Sequence, residues 1–150
     1  MQPVHPPVTL PDPDATEALA RRFAPRLGVG DVLLLEGQIG AGKTAFARAL
    51  IQALGVAEDV PSPTFTLVQT YDAGMEVWHA DLYRLSHPDE AVELGLTEAF
   101  ETALCLVEWP EKLGADRPEK ALTLRFSVVG EGREVAFLGP KAWEARLADL

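Results

Sequence analysis

The chain has one cysteine, Cys105, and no asparagine among its 150 residues. A single cysteine excludes a disulfide or a cysteine-rich zinc cluster within one chain, and its setting in the apolar run ALCLV reads as a small buried hydrophobe in a reducing compartment. Without asparagine, the Asn-Lys-x-Asp form of a guanine reader cannot be built. No window approaches the roughly 18 consecutive apolar residues that span a bilayer, and the start MQPVHPPVTLPDPD lacks a basic end followed by an apolar stretch. No membrane span and a cytoplasmic location are therefore expected. Basic residues are also scarce: 13 against 23 acids leave a net charge of −10, which disfavours direct binding of a polyanion, because phosphate contacts need clustered Lys and Arg. Any nucleic acid in this protein's work is expected to be held by a partner.

What remains is ordinary globular material, 47% hydrophobic and 24% charged. A chain of this length is expected to form a single domain, 1–150, that buries about 70% of its unfolded surface. The proline-rich stretch 1–13 reads as a loose N-terminal segment. A helix follows, with Asp14 and Glu17 at capping-box spacing and Leu19, Ala20, Phe23 and Leu27 on its apolar face, and Pro25 is expected to end or kink it. Val32 to Leu35 reads as a strand buried on both faces, and Thr44 to Leu54 as a helix with Phe46, Leu50 and Leu54 in register and Gly55 as its C-terminal cap. EDVPSPTF is turn and loop. TLVQTY and MEVWHAD form a hairpin about DAG, Ser86 to Glu93 and Thr97 to Ala103 are short helices, and ALCLVEW is a second buried strand. ALTLRFSVV and REVAFL make another hairpin, and a short helix near the C-terminus packs Trp143 and Leu147. The order implies an α/β fold of the P-loop NTPase type, with a mixed central sheet, added antiparallel strands and flanking helices.

Gly37-Gln-Ile-Gly-Ala-Gly42-Lys43-Thr44 matches G-x-x-x-x-G-K-[ST] in full. A random chain of this length would show the match roughly once in two hundred, and here it also stands between a strand and a helix. Glycines let the backbone turn its N–H groups around a phosphate, and the helix N-terminus adds its positive dipole. Lys43 brings a mobile charge to the outer phosphates, and the Thr44 hydroxyl suits the shell of an octahedral magnesium ion. Such an ion also needs an acid at the end of a neighbouring strand. Glu108, closing Ala103 to Val107, is assigned to the metal, directly or through water; Asp81, at the hairpin exit, competes for that role and otherwise orients the attacking water or takes its proton. His79 makes H-x-D with Asp81 but has no further ligands at metal spacing, so it reads as a packed or solvent-facing strand residue. Trp78 and Trp109 flank the acids, either lining a nucleotide pocket or filling the core.

Taken together, the loop GQIGAGKT, Ser62-Pro63-Thr64-Phe65-Thr66-Leu67-Val68, His79-Ala80-Asp81-Leu82-Tyr83-Arg84-Leu85, Glu93-Leu94-Gly95 and Leu106-Val107-Glu108-Trp109-Pro110 resemble the TsaE family, bacterial ATPases of tRNA threonylcarbamoyladenosine biosynthesis. The resemblance covers about Asp31 to Pro110; Gln38 stands where Asp or Glu is commoner. It implies ATP bound on the loop, at Gly37, Gly40, Ala41, Gly42, Lys43, Thr44 and Ala45, with magnesium on Thr44 and Glu108. It implies a nucleotide-responsive switch over Ser62 to Phe65, with Ser62 and Thr64 facing the cofactor, and Asp81 needed alongside Lys43 for hydrolysis. Trp109 falls beside the nucleotide and Arg133 near the adenine. The implied partners are the sugar-kinase-like proteins TsaD and TsaB, with tRNA reached through them. Two rivals share the loop. A small-molecule kinase would close an arginine-rich lid, yet between Lys43 and Arg117 there are only Arg48, Arg84 and Lys112. A non-catalytic docking module would not need Lys43, Thr44, Asp81 and Glu108 intact. With no arginine finger evident in cis, hydrolysis by the isolated chain is expected to be slow.

Overall fold

The computed structural model describes residues 2–57, 60 and 67–150. The apolar runs become the inner strands of a sheet that has seven strands among the described residues. They are β1 (Gln2–Leu10), β2 (Val32–Glu36), β3 (Val68–Asp72), β4 (Glu76–Asp81), β5 (Leu104–Glu108), β6 (Leu122–Val129) and β7 (Gly132–Gly139). Their spatial order is β1-β7-β6-β2-β5-β4-β3. The middle of the sheet is parallel, with β2 between β5 and β6 and β4 beyond β5. Antiparallel partners flank it, β3 on β4 at one side and β7 then β1 on β6 at the other.

Alternation along the strands feeds two cores. Leu33, Leu35, Leu104, Leu106, Leu122, Leu124 and Phe137 face α1 (Pro13–Phe23) and α2 (Lys43–Ala53). Phe46 of α2 lies edge-on to Phe23 and tilted against Phe126, each at 5.7 Å between ring centroids, the separations at which aromatic pairs attract. Val32, Leu34, Ala80, Cys105 and Val107 face the opposite way, onto Leu96, Ala99 and Phe100 of α4 (Leu96–Thr102) and Ala91 of α3 (Asp89–Glu93). The chain ends in α5 (Ala142–Arg146), which buries Trp143; Leu147 just beyond it is buried as well. Arg146 of that helix ties back to Asp31 through contacts of 2.5 and 2.8 Å.

The N-terminal segment differs from the sequence reading. Gln2–Leu10 is not loose: it is an edge strand paired antiparallel to β7, anchored by buried Val4 and Leu10. Pro3, Pro6 and Pro7 cannot donate to a ladder, and the register shifts between Pro3 and His5 and again between His5 and Val8; proline is tolerated in such a strand only at an edge or a bulge. The start of α1 also moves. Asp12, rather than Asp14, caps it by accepting from the Ala15 N–H at 2.9 Å, because Pro13 is pre-organised for the first helical position and its missing N–H is one the helix leaves unpaired. As expected from Pro25, α1 stops at Phe23 and passes into a 3-10 turn at Ala24–Arg26. α3 begins at Asp89, three residues later than the reading from Ser86, whose amide and hydroxyl instead bond the Glu90 carboxylate.

Candidate nucleotide site

The parallel strands β2, β5 and β4 end level with one another, Leu35 beside Glu108 and Glu108 beside Asp81. The glycine loop leaves β2 at this edge and turns into α2, whose N-terminus points at the same place. Gly37 (φ 144°) starts the turn against the β6 backbone, where a Cβ would stand 2.7 Å from the Phe126 carbonyl oxygen, so only glycine fits. Gly42 (φ 104°) caps α2 in the left-handed region with no side chain bonded across it, the arrangement that presents helix N–H groups to an anion.

Lys43, the first residue of α2, is folded inward and buried. Its Nζ donates to the Gly37 carbonyl at 2.5 Å and lies 3.3 Å above the centroid of the Trp109 ring. Burial pushes the Lys43 pKa down, opposed by the nearby charges of Glu108, Glu111 and Asp81. Trp109 reaches this position because its backbone turns left-handed (φ 59°, ψ 52°) immediately after β5, and its ring also packs against Tyr83 at 4.9 Å. The Thr44 hydroxyl donates to Glu108 Oε1 at 2.7 Å. Asp81, buried at the end of β4, accepts the Tyr83 N–H at Oδ1, 3.0 Å away, while its own N–H bonds the Leu67 carbonyl. From the β6–β7 hairpin, Arg133 grips the apex of the loop, donating to the Gly40 carbonyl from Nε (3.2 Å) and Nη2 (3.0 Å). These groups line a cleft of about 560 Å³. Arg133, Gly42 and Ala45 also line a second hollow of about 410 Å³, which runs between Thr16, Arg48 and Gly132.

Residues 10–135 match the family model described as threonylcarbamoyl adenosine biosynthesis protein TsaE. The chain belongs to the TsaE family. It is 39% identical over 129 residues to the tRNA threonylcarbamoyladenosine biosynthesis protein TsaE of Bacillus subtilis, covering 84% of this chain and 80% of that one. With the TsaE protein of Rickettsia bellii it shares 41% identity over 137 residues, 90% of this chain and 95% of the relative. The crystal structure of Bacillus subtilis YdiB superimposes with a TM-score of 0.79 at 30% identity, over 94% of this chain and 90% of that one. TsaE membership and the P-loop fold together make this a nucleotide-binding protein of the NTPase type.

Most of the residues picked from sequence as the TsaE site converge in the cleft: Gly40, Gly42, Lys43, Thr44, Ala45, Asp81, Glu108, Trp109 and Arg133 line it. Gly37 shapes the loop from below, and Ala41 is buried against the core. Ser62 and Thr64, with the switch Ser62 to Phe65, lie outside the described residues. Trp78 does not join the cleft; it packs in the opposite core, where its ring lies 3.5 Å from the place a Cβ on Gly95 would occupy. A strand alternates its side chains between faces, so Trp78 must point away from His79 and Asp81.

His79 is the residue whose part the sequence reading missed. It is wholly buried, and its Nε2 lies 2.7 Å from Glu108 Oε2. The signals in the sequence were the two-residue spacing to Asp81 and its place at the head of the segment His79 to Leu85, whereas the pairing of β4 with β5, which brings His79 to Glu108, is not local information. Thr44 and Glu108 offer adjacent hard oxygen donors of the kind magnesium takes, and that ion normally adds phosphate oxygens and waters to one or two protein ligands. Among the described residues no group of three or more His, Cys, Asp or Glu could hold a metal by itself. No helix among those residues is long and apolar enough to cross a membrane.

Proposed function

We propose that this TsaE protein binds ATP with magnesium on the glycine loop and hydrolyses it slowly alone, as the ATPase that acts on the TsaD–TsaB complex in cytoplasmic tRNA modification. The observation that carries the reading is the 2.7 Å contact between Thr44 and Glu108 beneath the loop, which joins the P-loop hydroxyl to a strand-end acid as a P-loop NTPase requires. Lys43 leaves its contacts with Gly37 and Trp109 for the outer phosphates, and the backbone of Gly40 to Thr44 cradles them. Thr44 and Glu108 would hold magnesium, which would supply neutralising charge to the phosphate oxygens. Asp81, held at Oδ1 by the Tyr83 amide, orients the attacking water and takes its proton. The second hollow suits the base, with Ala45 and Thr16 at its wall.

The way Arg133 is used supports slow turnover alone. Its Nε and Nη2 both donate to the Gly40 carbonyl, which uses it as a brace of the loop rather than as the arginine finger worth about 10³ or more in phosphoryl transfer. The relatives named for tRNA threonylcarbamoyladenosine biosynthesis support a partner in that pathway as the source of stimulation. The test is ATP hydrolysis by the purified chain, alone and with TsaD, TsaB and tRNA, with Lys43→Ala as the blank. Stimulation of about tenfold or more, lost in Lys43→Ala, supports the reading. An unchanged rate with the partners overturns the partner assignment, and phosphate transfer to a small molecule overturns the ATPase assignment in favour of a kinase.

A further inference from the structure

A carboxylate that is 2% exposed stands only if its oxygens find donors, because an unsatisfied charge in the interior is far costlier than a paired one. Glu108 meets one donor at each oxygen. The Thr44 hydroxyl bonds Oε1, and at Oε2, also 2.7 Å away, stands the imidazole of His79. Glu108 as a carboxylate only accepts, so in the Nε2–H tautomer His79 is the donor of that second bond. The other ring nitrogen, Nδ1, is buried and has no hydrogen-bond partner among the described residues. Among the described residues the ring is therefore held by a bond at one end alone, and that contact is Glu108.

We propose that His79 is a positioning residue for Glu108: by fixing Oε2 it sets the plane of the carboxylate so that Oε1 stays on the Thr44 side, where the metal of a nucleotide complex would be met. This rests on the reading of the cleft as a magnesium–nucleotide site. His79 touches neither nucleotide nor ion in that scheme. It acts through a carboxylate that has two side-chain torsions besides the rotation of its terminal group, and that would otherwise be fixed by a single bond to a hydroxyl which rotates freely. Hydrogen-bonded partners of ligating carboxylates are worth roughly 10- to 100-fold in metal affinity. The geometry also separates positioning from packing. Glutamine carries its amide nitrogen about as far from the backbone as imidazole Nε2, whereas asparagine ends near the place of Nδ1 and cannot reach Oε2.

The experiment compares wild type, His79→Gln, His79→Asn and His79→Leu. Two quantities are read: Mn2+ binding in the presence of ADP, by electron paramagnetic resonance, and ADP affinity in EDTA. His79→Asn and His79→Leu are expected to weaken Mn2+ binding by about 10- to 100-fold, with His79→Gln within about threefold of wild type and metal-free ADP affinity unchanged throughout. Wild-type Mn2+ binding in His79→Asn overturns the proposal. So does a loss in His79→Gln as large as in His79→Asn, or a parallel fall of metal-free ADP affinity, which marks a packing role. If wild type shows no nucleotide-dependent Mn2+ site, the magnesium–nucleotide reading itself falls.

Discussion

Replacing Gly37 by alanine puts a methyl group into the narrowest contact of the glycine loop. The added Cβ would meet the Phe126 carbonyl oxygen at 2.7 Å and the Cβ atoms of Ala41 and Phe126 at 3.2 Å, with φ at 144°. Holding a non-glycine residue in such a sparsely populated region costs about 1–3 kcal/mol. Forcing the methyl against fixed backbone adds about 1–3 kcal/mol. Gly40→Ala supplies the control, because Gly40 also has positive φ (82°) but nothing lies within 4 Å of its added Cβ. It should lose only the same backbone part, about 1–3 kcal/mol. The expected gap between the two variants is thus about 1–3 kcal/mol in favour of Gly40→Ala. For a chain of this length, each kcal/mol moves the midpoint by about 2–4 °C. Calorimetry of both variants without nucleotide, with urea melts to check the order, measures the gap directly. Equal losses within about 0.5 kcal/mol would refute the claim that the β6 backbone, rather than φ alone, reserves position 37 for glycine.

Three other outcomes are expected. Burial pushes the Cys105 thiol up to about 12, so the native protein should not react with a disulfide reagent at pH 8 on the time scale of the unfolded chain, and rapid native labelling would contradict the buried strand. Burial raises the Glu36 pKa, but hydrogen bonds and charge from Arg117 and Arg125 outweigh it and hold the carboxyl below its usual 4.5. The stabilisation is therefore complete above about pH 4.5 and fades as pH falls through the lowered folded value, so the destabilisation by Arg117→Met in urea melts should shrink as pH drops below 4; a pH-independent difference would count against the pair. Arg133→Met removes both bonds to the Gly40 carbonyl and should weaken ADP binding by about tenfold, the equivalent of about 1.4 kcal/mol, with the melting temperature nearly unchanged; an unaltered titration would show that the loop apex needs no brace.

The parts of this fold written in local order were legible in the sequence. Val32 to Glu36, the loop and α2 are contiguous, so apolar run, glycines and helix formers identified them without knowledge of anything distant. Glu108 was legible for the same reason, as the acid that ends a fully apolar strand. What failed was long-range. The partner of β1 is β7, more than a hundred residues away, and three prolines looked like looseness until an edge position and two register shifts accommodated them. His79 looked like any strand histidine because its meaning lies in β5, and Trp78 seemed as close to the acids as Trp109 because proximity along a strand does not say which face a side chain takes. Asp12 took the cap from Asp14 because Pro13 could begin the helix earlier than the carboxylate spacing implied.

The prolines of β1 have a further effect, on the company the protein keeps. A sheet edge exposes a row of amides and carbonyls on which a second chain can assemble. β1 is one such edge, but Pro3, Pro6 and Pro7 leave gaps in its row of donors, and its shifted register breaks the straight line an incoming strand would follow. A neighbouring molecule therefore finds little to zip onto at this edge, which lies beside the strand that carries Arg133.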